Sequence, residues 1–237
     1  VRTAWGTTRW IGFQSGVHRS ANGYHDGWVK FLTNSGYMGG GSDRYRPGTD
    51  TYNGATAWLT YVEGPNRRVG FYDGIHVSSI GFAESTINGI NEAGMATGVS
   101  LQLFQEPGNP ATVLGQTAWL AWPSGETVRV GLYGPEHTRS GSYQWNYVGA
   151  PDDSGIVTGT TFRYAPGTGE DHGQSTWVAN VATGETTELG LMDAAHTRAD
   201  GYRVSNMGWT SNARFISGIS YRYAGVPSGE SRYTTWV

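Results

Sequence analysis

Apolar and polar positions alternate with a period of two in short runs along the whole chain, and no stretch carries the three-to-four spacing of an amphipathic helix. In one region the runs are Thr117-Trp122, Thr127-Tyr133, Ser142-Val148 and Gly155-Tyr164, separated by Gly, Pro, Asn and Asp. Runs of this kind predict strands with one face buried, and the punctuation between them predicts tight turns. Pro123-Ser124-Gly125-Glu126 joins the first two runs, and Glu63-Gly64-Pro65-Asn66 and Ala182-Thr183-Gly184-Glu185 stand at the same place elsewhere. Gly supplies the positive φ that such hairpins require. A second turn, before the glycine-bearing strand, reads Thr33-Asn34-Ser35-Gly36, Asn91-Glu92-Ala93-Gly94, Asp152-Asp153-Ser154-Gly155 and Ser211-Asn212-Ala213-Arg214.

The strand pattern repeats four times. Each copy has a Trp (Trp58, Trp119, Trp177, Trp236) and a Gly (Gly12, Gly70, Gly131, Gly190). Six residues after each Gly stands His18, His76, His137 or His196, and twelve after it Tyr24, Phe82, Tyr143 or Tyr202. A second Gly follows at Gly40, Gly98, Gly159 or Gly218. A period of about 60 residues held over four copies means a solenoid, a propeller or an array. The repeats divide a single domain, 1–237, into units of approximately 1–54, 55–115, 116–173 and 174–232, with 233–237 completing the first.

Reading Trp236-Val237 into Val1 and on to Gly12 gives fourteen residues, as many as Trp177 to Gly190 contains. The expected fold is therefore all-β: a β-propeller of four four-stranded blades, the first closed by both termini, which spares the sheets two free edges. The alternative is two chains forming one eight-bladed ring, so that monomer and homodimer both remain open. A seam inside the Trp-bearing strand, in a chain that starts at Val1, suggests an engineered permutation or a trimmed repeat array.

Ala118-Trp119-Leu120, Gly131-Leu132, Ile90-Asn91-Glu92-Ala93-Gly94 and Gly98-Val99-Ser100 give each unit its local signature. With these elements the chain resembles WD-like blades, and more closely the HAF-type repeats of bacterial extracellular proteins. The resemblance covers all four units and implies a β-propeller. It implies an extracellular or periplasmic location but almost nothing about activity. Two features depart from true WD repeats: Trp177 is followed by Val178 in place of Asp, and the unit is longer.

Composition narrows the function classes. Charged residues make up 15%, the net charge is -3, and Lys30 is the one lysine, so the clustered positive charge that nucleic-acid binding needs is missing. No apolar run reaches the length of a membrane span, and the lack of cysteine excludes disulfides.

Four in-phase histidines admit two readings. They could converge on an axis as metal ligands. They could instead belong to a structural network within each blade, bonding Ser42, Ser100, Thr161 or Ser220 and the repeat Trp, since buried imidazole and indole N–H groups both need partners. The structural reading is the expectation adopted, with no metal and no cofactor. His25 and His172 have no counterparts in the other copies and read as solvated loop residues.

Arg44-Tyr45, Arg163-Tyr164 and Arg222-Tyr223 end the same strand in three copies, where the second has Gln102-Leu103. A forked donor beside an aromatic ring suits a sugar, a carboxylate or a protein loop. The same pair could simply stack, or neutralise an acid between blades. Variable loops follow these strand ends, so this face is the candidate for binding protein or carbohydrate. Glu170-Asp171, Asp152-Asp153 and Asp193 are the remaining catalytic candidates, yet no acidic pair recurs between copies and no nucleophile or phosphate-loop motif occurs. The expected function is a non-catalytic repeat scaffold that binds through its His-loop/Arg-Tyr face. The alternatives are an extracellular carbohydrate-binding module and a polysaccharide-active enzyme.

Overall fold

A computed structural model of the chain describes residues 8–104, 111–139, 141, 143–210, 215–225 and 232–237. The fold is all-β, with short 3-10 turns at Gly16–His18, Gly74–His76 and Pro135–His137. The first unit holds β1 (Gly27–Leu32), β2 (Tyr37–Tyr45), β3 (Tyr52–Tyr61) and β4 (Arg67–Arg68). The second holds β5 (Ser85–Ile90), β6 (Ala96–Phe104), β7 (Thr112–Ala121) and β8 (Thr127–Arg129). The third holds β9 (Asn146–Val148), β10 (Ile156–Tyr164), β11 (Asp171–Asn180) and β12 (Thr186–Leu189). In the fourth the described strands are β13 (Arg203–Thr210), β14 (Ile216–Arg222) and β15 (Arg232–Trp236). Within each unit the strands pair antiparallel in chain order. In the first three units the paired strands run from after a His-bearing turn to just before the Gly-Leu or Gly-Phe step.

Successive units are stitched at one recurring place. The start of each Trp strand runs parallel to the start of the next unit's first strand, as an Ala83 N–H to Asn53 O bond of 3.3 Å, as the bridge Gln116↔Trp145, and as Gly173↔Arg203 with Gln174↔Val204. The last link joins the third and fourth units into one seven-stranded sheet. Gly54, Gly115 and Gly173 stand at this place because a Cβ there would strike the carbonyls of Ala83, Gln144 and Arg203.

The repeat landmarks have steric causes. Gly40, Gly98, Gly159 and Gly218 pair across β-ladders with Trp58, Trp119, Trp177 and Trp236, and each indole lies over its glycine where a Cβ would go. Gly12, at φ +85°, packs so tightly that a Cβ would sit 2.8 Å from Ser42 Oγ and 3.1 Å from Trp58 Nε1. The residue after each such Gly donates its backbone N–H to a hydroxyl on the second strand. Phe13 bonds Ser42 at 2.9 Å, Phe71 bonds Ser100 at 2.8 Å, Leu132 bonds Thr161 at 3.3 Å and Leu191 bonds Ser220 at 2.9 Å.

The core lies between units, not inside them. Ala57, Leu59 and Val69 of the first unit meet Ile87, Ala96 and Trp119 of the second. Ala118, Leu120 and Val130 of the second meet Val148, Val157 and Trp177 of the third. In the second unit's third strand the Trp119 ring faces the first unit while Ala118 and Leu120 face the third, the period-2 geometry of a strand buried on both sides, and the Trp177 ring likewise faces the second unit. At the far end from the His turns, the Glu92 carboxylate accepts the N–H groups of Asn34 (3.1 Å) and Ser35 (2.8 Å), while Asp153 accepts the Glu92 N–H at 3.0 Å. One turn therefore caps the next across two junctions.

No strand pairing joins the fourth unit to the first among the described residues. The expected seam includes Val1 to Thr7, which lie outside the described residues, as does the repeat turn at 211–214. No helix among the described residues is long and apolar enough to cross a membrane.

Candidate binding face

Each histidine is tied into its own unit. His18 Nδ1 lies 2.8 Å from Asp43 O and His137 Nδ1 lies 3.2 Å from Phe162 O. His76 Nε2 reaches Thr117 Oγ1 at 2.8 Å, and His196 Nε2 reaches Thr234 Oγ1 at 2.9 Å. The hydroxyls they reach stand two residues before the Trp, not at Ser100 or Ser220, whose oxygens already accept the Phe71 and Leu191 N–H groups. The indole N–H groups of Trp58, Trp119, Trp177 and Trp236 are buried with no hydrogen-bond partner, so they are not part of the histidine network. Burial pushes the pKa of His18, His76 and His137 below the ordinary imidazole value of 6.5, which keeps these rings neutral.

The four histidines form no common metal cluster among the described residues, where the one group with three potential ligands is Glu136, His137 and Glu188. Glu188 is already engaged. Arg203 Nη2 approaches its carboxylate at 2.7 Å, Arg163 Nη1 at 3.7 Å, and Ser175 donates to it. The two guanidiniums offset the charge of that carboxylate.

The Arg-Tyr strand ends are placed unequally. Arg163 is buried against Glu188, and Arg44 is half-buried, its guanidinium 5.7 Å from the Tyr72 ring centroid and 3.4 Å from Thr56 Oγ1. Burial also lowers the pKa of both guanidinium groups. Tyr45 and Tyr164 are buried with them. Arg222 is exposed, donating Nε–H to Ala224 O at 3.3 Å, beside a half-buried Tyr223 that packs edge-on against Tyr202. The first two pairs therefore serve the junctions, and the third alone faces solvent.

The same end of the molecule carries a patch that sequence reasoning did not select. Tyr52 OH donates to Glu84 at 3.3 Å across the junction of the first two units, and within the first unit Tyr24 OH donates to Asp26 at 3.3 Å. Tyr24 is 59% exposed and Tyr52 48%, and their rings pack edge-on against Tyr45 and Phe82. Asp43 lies beside Asp26, its backbone N–H donating to Asp26 O at 3.0 Å. Burial, and then the Asp26 charge, raise the pKa of Asp43; burial raises that of Glu84, with a further push from Asp43. Burial drives the Tyr52 phenol well above its ordinary range. Asp26 and Glu84 hold the same repeat position, which Trp145 and Val204 occupy in the other two copies. Departure of two copies from the other two is the signal that could have marked them.

No family model matches the chain, and no curated protein resembles it at a significant level.

Proposed function

We propose that the chain is a non-catalytic, propeller-type repeat scaffold of WD-like or HAF-type units, whose His-turn end binds a hydroxyl-rich, uncharged ligand of the carbohydrate class. The observation that carries this reading is the pair of exposed tyrosine rings, Tyr24 and Tyr52, each with its hydroxyl held by a carboxylate. A ring whose hydroxyl is anchored offers a fixed apolar face for the CH surface of a sugar. Asp26, Asp43 and Glu84 offer acceptors for its hydroxyls, and their charge repels anionic ligands. Arg222 and Tyr223 supply a second accessible contact on the same end. A rigid support with copy-specific residues at its rim is the usual division between scaffold and specificity.

A glycan array followed by calorimetry tests the proposal. Retention of a neutral oligosaccharide, weakened about tenfold by Tyr52→Ala at a cost of ~1.4 kcal/mol, is the expected result. Absence of binding to any neutral glycan, or binding indifferent to both Tyr24→Ala and Tyr52→Ala, overturns it. A second reading, a polysaccharide-active enzyme, is favoured by the half-buried Glu84 carboxylate, which accepts the Tyr52 hydroxyl at 3.3 Å on the exposed end and whose pKa burial raises, the direction a general acid needs. Release of reducing ends by the parent chain, abolished in Glu84→Gln, would replace the first reading with the second.

A further inference from the structure

The junctions between successive units differ in charge at one repeated place. In the third unit Glu188 stands opposite Trp177 on the ladder, and its Oε1 accepts from the hydroxyl of Ser175, two residues before that Trp. Arg203 Nη2 lies 2.7 Å and Arg163 Nη1 3.7 Å from the same oxygen, and a ring nitrogen of His137 lies within 4.8 Å of the carboxylate. The first unit repeats three of these donors in the same pose. Arg44 Nη1 is 3.4 Å from Thr56 Oγ1, as Arg163 Nη1 is from Ser175 Oγ, and the Nε of both guanidiniums is buried with no hydrogen-bond partner. His18 Nδ1 bonds the carbonyl of Asp43, as His137 Nδ1 bonds that of Phe162. The acceptor is what changes: Arg68 stands opposite Trp58 where Glu188 stands opposite Trp177.

Two guanidiniums thus meet without a carboxylate. Arg68 and Arg44 lie 5.1 and 5.7 Å from the centroid of one ring, that of Tyr72, and neither forms an ion pair among the described residues. The ring face compensates only in part, and the Tyr72 hydroxyl already accepts the Ala57 N–H at 2.7 Å. Burial foremost, with the Arg68 charge adding to it, pushes the Arg44 guanidinium below its ordinary pKa. Asp43, next to Arg44 in sequence, has its carboxyl raised by burial and by Asp26, the opposite of what a guanidinium partner would do. The second unit meets the same place with less charge. Gln102 replaces the Arg of the second strand, and Arg129, 3.5 Å from the Tyr133 centroid, donates to Gln144 Oε1. Gln144 and Arg203 stand thirteen residues after their repeat Gly, where the junction of the first two units has Ala83. The third junction therefore sets two guanidiniums on a carboxylate and the second sets one on an amide oxygen, whereas the first has two guanidiniums and neither acceptor.

We propose that the junction of the first two units binds the carboxylate of a ligand, seated between Arg44, Arg68 and the Thr56 hydroxyl as the Glu188 carboxylate is seated between Arg163, Arg203 and Ser175. The class of ligand is a carboxylate on a short aliphatic stem, because a glutamate side chain is the occupant that the third unit supplies. Arg68 is exposed and gives access from solvent, while the half-buried Arg44 supplies a partly desolvated donor, which strengthens a charge-assisted bond. The inference does not rest on a ligand at the Tyr24 and Tyr52 rings.

Propionate, a glutamate side chain without its backbone, is the probe. Compared with chloride at equal ionic strength, it should raise the melting temperature, and it should raise the pKa of His18 followed by NMR, because an anion at this place favours the imidazolium. The titration of His76, at the next junction, should stay where it is. Both responses should be lost in Arg68→Glu, which puts the counter-charge on the chain itself, and in Arg44→Gln, which installs the residue that the second unit carries at that position. No gain over chloride overturns the proposal. So does a response that survives in Arg68→Glu and in Arg44→Gln, since propionate would then act elsewhere on the molecule.

Discussion

Ile87 and Val29 occupy one register position, opposite Gly98 and Gly40 on their second strands, yet Ile87 is 2% exposed and Val29 46%. β1 is the more apolar of the two strands, so composition does not explain the contrast; what differs is that Ile87 has the first unit in front of it. The side chain reaches Gly39 of that unit and joins a layer with Leu59, Val69 and Trp119. Burial in this architecture is thus conferred by the neighbouring unit. A repeat that buries its apolar face only against another repeat is stable in rows and incomplete alone. The exposed apolar residues of the row's ends, Trp28, Val29 and Leu32 in β1, Trp209 in β13 and Val237 beyond β15, are what that rule predicts for faces without a neighbour.

The contrast is broken most forcefully at the tryptophans. Trp119→Ala removes a fully buried indole from the layer between the first two units, and unfolding free energy should fall by about 3–5 kcal/mol. Trp236 stands at the same register position but borders the open cleft, so Trp236→Ala should cost clearly less. Urea denaturation of both variants checks the difference, and equal losses would remove the distinction between inner and outer faces. The leading strands give the next-largest effect. Ile87→Ala should cost about 2–4 kcal/mol, and Val29→Ala should stay within ~0.5 kcal/mol in the isolated chain.

Much of this difference was legible in the residues. Trp and Gly kept phase because an indole lies across the glycine opposite it, a constraint that tolerates no side chain and so marks the sequence strongly. The all-β class followed from alternation alone. Less legible was the stitching at Gly54, Gly115 and Gly173, because glycine in a loop entering a strand looks like ordinary turn punctuation. The histidine partners were misplaced for a related reason: His76 and His196 reach hydroxyls on the Trp strand, and His18 and His137 reach a backbone carbonyl one residue beyond Ser42 and Thr161. Ser42, Ser100, Thr161 and Ser220 do form a repeating set, but their oxygens serve backbone N–H groups. The Arg-Tyr pairs look identical in sequence, and their exposure depends on Tyr72 and Glu188, which come from other strands and differ between copies. The Tyr24–Asp26 and Tyr52–Glu84 patch was missed because a search for repetition passes over what two copies have and two lack.

Acid titration separates the inner and outer regions by a smaller effect. His18, His76 and His137 have folded-state pKa values below 6.5, so as pH falls through 6.5 the unfolded chain takes up protons that the folded chain refuses. Their contribution to stability is present above 6.5 and is lost as pH drops through the folded values. Asp43 and Glu84 act oppositely: their raised folded pKa values add stability as they protonate, and that contribution is lost as pH rises through those values. The melting temperature should decline as pH falls from 7.5 to 5.5. A flat profile would mean that the histidines are not desolvated.

The smallest expected effect lies in the turns at the opposite end, where Glu92 accepts the N–H groups of Asn34 and Ser35. These bonds, the Ser35 one foremost, hold the exposed Glu92 carboxylate below its ordinary pKa. The contribution is therefore present above the ordinary glutamate range and disappears as pH falls through the lowered folded value. Glu92→Gln keeps an acceptor oxygen but loses the charge that strengthens both bonds. Global stability should hardly move, because the carboxylate is solvated. The change should appear locally, as faster hydrogen exchange at the Asn34 and Ser35 amides with no change at Phe71, whose amide is bound to Ser100 inside the row. Equal acceleration at all three amides would mean that the turn ladder and the inner layer open as one cooperative element. Acceleration confined to the first two shows that the turn ladder can open while the buried layers between units stay closed.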